Sequence, residues 1–246
     1  MTALPRSARW ASWFNAWLGG FAPIDDATAA VRGADAAHDV TGLADDILPL
    51  EQAWAALRKR GATAAALALP VPGDPAGLAG PPMFNEAALD TAEAVVVVGA
   101  GVGFVPSVVG RGVFWSTYDA QAPRPSTSVA DAERALREQL VETGRVLAEL
   151  DVARWRPEIA DTLSDLRATR DGVLPPGFDQ RAQRVSALAV RCWRICDLAL
   201  ADDGGALGVG DGAARRRTTL ELQRAARHAV VAACSSFEPG TTLGER

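Results

Sequence analysis

The chain has 246 residues, 25 basic and 30 acidic side chains, and a net charge of −5. Its 48% hydrophobic content is too high for a disordered chain, and its charge is too balanced for a protein that coats nucleic acid. Three cysteines leave one over from any disulfide framework, and no apolar run reaches the ~18–20 residues of a membrane span.

These figures point to a soluble, cytoplasmic globular protein, large enough to bury a core without disulfides or metals. Lys59 is the only lysine, so the basic residues are almost all arginine. Up to Ser128 there are 8 basic and 12 acidic residues; after it there are 17 and 18. Dense, balanced charge in the second half suits the solvent faces of helices.

In chain order, Ser7 to Leu18 is expected to be a helix. Trp10, Trp13, Phe14, Trp17 and Leu18 fall on one face, with Asn15 interrupting the apolar run and Gly19–Gly20 ending it. A short helix from Asp26 to Arg32 stops at Gly33, and His38 to Thr41 is a short strand. Pro49 to Arg60 is a helix with cations at its C-terminal end. Ala64 to Val71 is a strand, followed by the irregular PVPGDPAGLAGPP segment. Phe84 to Glu93 is a helix. Ala94 to Val98 is a strand buried on both faces, and Val113 to Tyr118 is another. Phe104 to Val109 joins the same sheet, with Pro106 marking an edge or a turn.

A Pro/Ser/Thr-rich connector, Gln121 to Ser128, precedes a change of texture. Helices are expected at Val129–Trp155, capped by Ser128, then from Pro157 to Gly172, Phe178–Leu200 and Ala213–Phe237. The third buries Val185, Leu188, Ala189, Cys192, Ile195 and Cys196. The glycine-rich stretch Asp202–Gly212 is a loop. The class is α+β: a small, mostly antiparallel sheet with helices over residues 1–125, and an antiparallel helical bundle or layer over 126–246, the two sharing one core or standing apart.

The run Val95–Val105 imitates a dinucleotide-binding strand and glycine loop, with Asp119 twenty residues past Gly99. The third glycine position is Phe104, however, and FVPSVVGRG opposes the helix that pyrophosphate binding needs. A glycine-rich turn between strands is the better reading, and no cofactor is expected. Cys192 and Cys196, with His228 and Cys234, offer soft ligands, but the two cysteines share a stripe with core residues and read as packing. No metal site is expected.

Three candidate sites remain. Trp10, Trp13 and Trp17 present a surface for a partner or a second copy if they are not spent on the core. Arg215, Arg216 and Arg217, with Arg224, Arg227 and His228, form the strongest positive patch, suited to phosphate or an acidic segment. The Pro/Gly-rich loop 70–86 carries Asp74, Asn85 and Glu86, with His38 expected nearby, as a small-molecule site at a strand end. No complete catalytic set is recognisable.

The blocks LALPVPGDPAGLAGPPMFNEAALDTAEAVV, GFVPSVV and LAELDVARWRPEIADTLSDLR resemble a family of uncharacterised actinobacterial proteins, from about His38 to the last helix. The resemblance implies a bacterial cytoplasmic setting and carries no activity, cofactor or catalytic residue. The expectation is a non-enzymatic interaction or adaptor protein holding a protein partner or a second copy. The alternative is a small-molecule binder or hydrolase-like enzyme using loop 70–86. Nucleic acid is not an expected partner.

Overall fold

The structure, a computed structural model, describes residues 4–122, 127–149, 173–201 and 209–237. Four helices lie in the first half: α1 (Arg6–Leu18), α2 (Ile24–Arg32), α3 (Leu50–Lys59) and α4 (Pro82–Thr91). Each begins directly after a proline, at Pro5, Pro23, Pro49 and Pro81. The ring fixes φ near the helical value while ψ near 150–160° keeps the proline itself outside the helix, so it sets the point of entry. Proline is thus the start signal that moves α2 and α4 two residues earlier than their apolar patterns imply.

Six strands form one sheet: β1 (His38–Thr41), β2 (Leu48–Pro49), β3 (Ala64–Ala68), β4 (Ala94–Val98), β5 (Val102–Val109) and β6 (Gly112–Asp119). Their order is β2-β1-β6-β5-β4-β3. Only β1 and β6 run parallel; the other four pairings are antiparallel. β4 turns into β5 through Gly99-Ala100-Gly101, with φ of +88° and +69° at the glycines. A Cβ on Gly99 would lie 2.3 Å from the Gly61 carbonyl oxygen. The glycines therefore serve a tight antiparallel turn against a neighbouring backbone, and the chain enters a strand where a dinucleotide site needs a helix.

β5 is an interior strand, so Pro106 is not at the edge of the sheet. The pairing of β4 with β5 nevertheless ends at Phe104, while β6 pairs with β5 along its length. From residue 105 onward β5 has no partner on the β4 side, which accommodates a residue that lacks an N–H.

Among the described residues the C-terminal helices are α5 (Val129–Glu149), α6 (Gln180–Ala201) and α7 (Val209–Ser235). Ser128 and Asp131 cap α5: the Asp131 N–H donates to Ser128 Oγ at 3.1 Å, and that hydroxyl donates to the Asp131 carboxylate at 2.7 Å. α6 and α7 run antiparallel, since Asp197 meets Gln223 while Ala199 meets Arg215. α7 starts four residues before Ala213, so Gly210 and Gly212 lie inside a helix where a loop is expected. The expected helix from Pro157 to Gly172, the end of the Val129–Trp155 helix and the start of the glycine-rich loop lie outside the described residues.

One large cluster of buried side chains joins both halves. It contains Trp10, Phe14, Trp54, Phe104 and Trp115 together with Leu136, Val185, Ala229 and Val230. Trp10 is the hub: it stacks on Phe14 at 4.9 Å and on Phe104 at 5.4 Å, and meets Trp54 edge-on at 5.4 Å. A smaller cluster lies under α4 on the other face of the sheet, where Phe84 and Ala88 cover Val96 and Val105. Ile195 departs from the expected inward stripe of α6 and is exposed.

Asn15, which breaks the apolar run of α1, is fully buried. Its Nδ2 donates to the Ala65 carbonyl at 2.8 Å, and its Oδ1 accepts from the Ala65 N–H at 2.7 Å. Two residues on, the Leu67 N–H donates to Ser235 Oγ at 3.0 Å. β3 is an edge strand, and side chains from α1 and α7 take the place of a seventh strand.

Candidate functional site

Loop 70–81 is ordered by its own turn chemistry. Val71 and Asp74 exchange backbone hydrogen bonds at 2.9 Å in both directions, with Pro72 and Gly73 between them. Pro at the first central position and Gly with φ +81° at the second follow the type II turn pattern. The Leu69 N–H then donates to the Ala76 carbonyl at 3.0 Å, which closes the segment into a short hairpin extending β3. This turn carries Asp74 off the end of the edge strand toward α7.

Asp74 is buried and meets Arg224, Arg227 and His228, which lie within four residues of one another on α7. Arg227 Nη2 donates to Oδ2, His228 Nε2 lies 2.9 Å from both carboxylate oxygens, and Arg224 Nε lies 3.3 Å from Oδ2. Burial is the largest single influence on the Asp74 carboxyl and favours its neutral form. Hydrogen bonds from His228 and Arg227, and their charges, outweigh it and hold the group below the usual carboxylate range. Arg227 is buried with Asp74, His228 is half-exposed and Arg224 is exposed.

A parallel arrangement lies elsewhere. Asp35 accepts two hydrogen bonds from Arg6, at 2.9 and 2.7 Å, one from Arg9 at 3.5 Å, and contacts His38 Nε2 at 3.0 Å. Trp115 Nε1 donates to His38 Nδ1 at 3.3 Å. The hydrogen bonds from Arg6, above all, hold the Asp35 carboxyl far below its usual range, while burial lowers the pKa of His38 against the pull of Asp35. Both histidines of the chain are thus set against an arginine-bound aspartate.

The expected grouping of Asp74, Asn85, Glu86 and His38 does not form. His38 lies on β1 and Asp74 beyond β3, four strand spacings apart, or roughly 19 Å across the sheet. The reason is the strand order: β1 pairs in parallel with the late strand β6, which leaves β3 alone at the far edge. Asn85 and Glu86 belong to α4 and not to the loop; Glu86 faces solvent.

Trp10 is fully buried, and Trp13 and Trp17 are half-buried against the main core, with the Arg58 guanidinium 5.6 Å over the Trp17 ring. Trp10 is spent wholly on the core, and Trp13 and Trp17 are spent on it in part. Of the Arg215–Arg217 run, Arg215 is half-buried and its Nη2 donates to the Ala199 carbonyl at 3.4 Å, which ties α7 to α6. Arg216 and Arg217 are exposed and make no ion pair among the described residues. The run begins seven residues into α7, beyond the first turn where a helix dipole is felt, so it needs no compensating anion on that account.

Arg216, Arg217 and Arg224 surround the exposed Leu220 in a shallow depression of about 410 Å³, with Ala213 and Glu221. A second, polar cavity of about 510 Å³ lies where α5, α6 and α7 meet. Several of its polar groups are committed: Ser128 caps α5, the Asp179 carboxylate accepts from the Ala182 N–H of α6, and Ser235 binds Leu67. All three cysteines are buried, and burial pushes their thiols up to about 11 for Cys192 and about 12 for Cys196 and Cys234. Among the described residues no group of three His, Cys, Asp or Glu side chains is placed to hold a metal, and no helix is long and apolar enough to cross a membrane.

The fold and this cluster define an α+β protein whose last helix is ion-paired to the edge of its sheet and bears an arginine-rimmed outer face. Residues 7–129 match the family model described as Rv1486c-like protein, N-terminal domain, and residues 130–231 match the corresponding C-terminal domain. The chain belongs to the Rv1486c-like protein family. No curated protein and no solved structure matches it.

Proposed function

We propose that this chain is a non-enzymatic interaction protein that holds an acidic protein partner through the outer face of α7. The observation that carries this reading is the pair of exposed arginines, Arg216 and Arg217, beside the exposed Leu220. Arginine forks match carboxylates bidentately, and an apolar centre within a charged rim is the usual anatomy of a protein contact. The partner segment is one in which carboxylates flank an apolar side chain. Its setting is the cytoplasm of an actinobacterial cell, a reading supported by the Mycobacterium tuberculosis style of the family designation.

The test is affinity capture from a native lysate with wild type, with Arg216→Glu/Arg217→Glu, and with the control Arg137→Glu on α5. The reading expects a set of proteins retained by wild type and by the control and lost from the double variant. Equal recovery by all three overturns it.

A second reading rests on the half-exposed His228 held by the buried Asp74. A carboxylate that orients an imidazole is the supporting part of a general base. On this reading a small molecule reaches His228 beside the turn 71–74, and His228→Gln abolishes its binding while leaving the melting temperature within a few degrees. The first reading is preferred because Arg227 and Arg224 share the same carboxylate, which makes the contact a structural tie between the turn and α7.

A further inference from the structure

The arginine face of α7 has a counterpart on the same chain. Loop 42–47, between β1 and β2, exposes Asp45, Asp46 and Ile47, and Ile47 is 59% exposed. Arg60 anchors the base of this loop by donating to the Leu43 carbonyl at 2.6 Å, so the acidic tip stands on a held stem. The N-terminal half carries nearly all of the net negative charge, and this loop holds two of its twelve acidic residues side by side.

We propose that the α7 face takes loop 42–47 of a second copy of this chain, Asp45 and Asp46 against Arg216 and Arg217, and Ile47 against Leu220. This rests on the reading of the α7 face given above and names its partner. The signs are opposite and the apolar centres correspond. The spans also agree: Leu220 lies one helical turn from Arg216 and Arg217, about 5–6 Å along the surface, and Ile47 lies within ~7 Å of both aspartates along an extended chain. Within one chain the loop does not cover this face, whose depression is lined, among the described residues, by α7 residues alone. The loop sits at the β2 edge, and the C-terminal end of α7 packs on β3 at the opposite edge of the sheet. Two copies can make the contact reciprocally in a two-fold dimer, or successive copies can make it head to tail in rows or rings.

Sedimentation analysis of the full chain tests it. The mass of wild type should rise above the 25.7 kDa monomer as concentration increases toward ~1 mM, the weak end of specific association. It should fall back in ~1 M salt, where charges are screened within ~3 Å. Arg216→Glu/Arg217→Glu and Asp45→Arg/Asp46→Arg should each remain monomeric. An equimolar mixture of the two should associate as wild type does, because the acidic loop of the first meets the arginine face of the second and the reversed loop of the second meets the reversed face of the first. A chain carrying all four changes should associate again. All six positions are solvent-facing; should a reversal disturb the far-ultraviolet spectrum, Arg216→Gln/Arg217→Gln replaces it with the same expectation. A wild type that stays monomeric, or a mixture that stays monomeric, overturns the proposal. If the lysate partners are still lost from Arg216→Glu/Arg217→Glu in that case, the interaction reading stands and only the second copy as partner falls.

Discussion

Asn15 and Ala65 form a two-point match: one carboxamide donates to and accepts from the same backbone unit, at 2.8 and 2.7 Å. The carboxamide occupies the place a neighbouring strand would take. Replacement by leucine keeps the bulk and strands both backbone groups in a fully buried site. Each unsatisfied group costs about 1–3 kcal/mol, so Asn15→Leu should lose about 3 kcal/mol. At ~2–4 °C per kcal/mol for a chain of this size, the melting temperature should fall by roughly 6–12 °C. A change within 1 °C in differential scanning calorimetry contradicts the edge-capping role.

Asp74 ties the β3 turn to α7 across the whole sequence. Asp74→Ala leaves Arg227 buried without its carboxylate and should cost about 3 kcal/mol at neutral pH. The folded carboxyl titrates below its unfolded value, so its contribution is present above that value and is lost as the pH falls through the folded one. The stability gap between wild type and Asp74→Ala should therefore close as the pH drops from 5 toward 3, read from urea midpoints. A gap that is constant over that range contradicts the ion-pair account.

His38 behaves in the opposite chemical sense with the same pH direction. Burial, the largest influence, keeps it neutral in the folded state, so the unfolded chain takes up its proton first. Its contribution is full above the unfolded value near 6.5 and declines as the pH falls below it. His38→Gln should lower overall stability and flatten the stability profile between about pH 7 and 5. A wild-type slope retained in the variant contradicts this.

The three thiols sit in apolar surroundings with their ionisation pushed above pH 10. Native protein at pH 8 should show no rapid reaction with a disulfide reagent, and denatured protein should release three equivalents. A fast native equivalent identifies an exposed, activated cysteine and contradicts the core assignment.

Local signals account for what was legible in the sequence. The valine run predicts β4 at its observed ends, Ser128 with Asp131 predicts the start of α5, and the glycines before Phe104 predict a turn. Four prolines also mark helix starts, of which only Pro49 reads as such beside an apolar pattern. What was not legible depends on pairing across the chain. Asn15 looks like a flaw in an apolar face until an edge strand lies beneath it. Asp74 and Arg227 are 153 residues apart, and nothing near either one announces the other. His38 and Asp74 look close in a short count of strands and are separated by the parallel insertion of β1 beside β6. The arginine run was visible as charge; only the helix register shows that Arg215 turns inward while Arg216 and Arg217 face out.

The most direct measurement is photo-crosslinking in the native host, with a photoreactive residue in place of Leu220 and, as the comparison, in place of the more exposed Met83 on α4. The account predicts a discrete protein adduct from position 220 that disappears with Arg216→Glu/Arg217→Glu, and none from position 83. An adduct from position 83 with none from position 220 would contradict it.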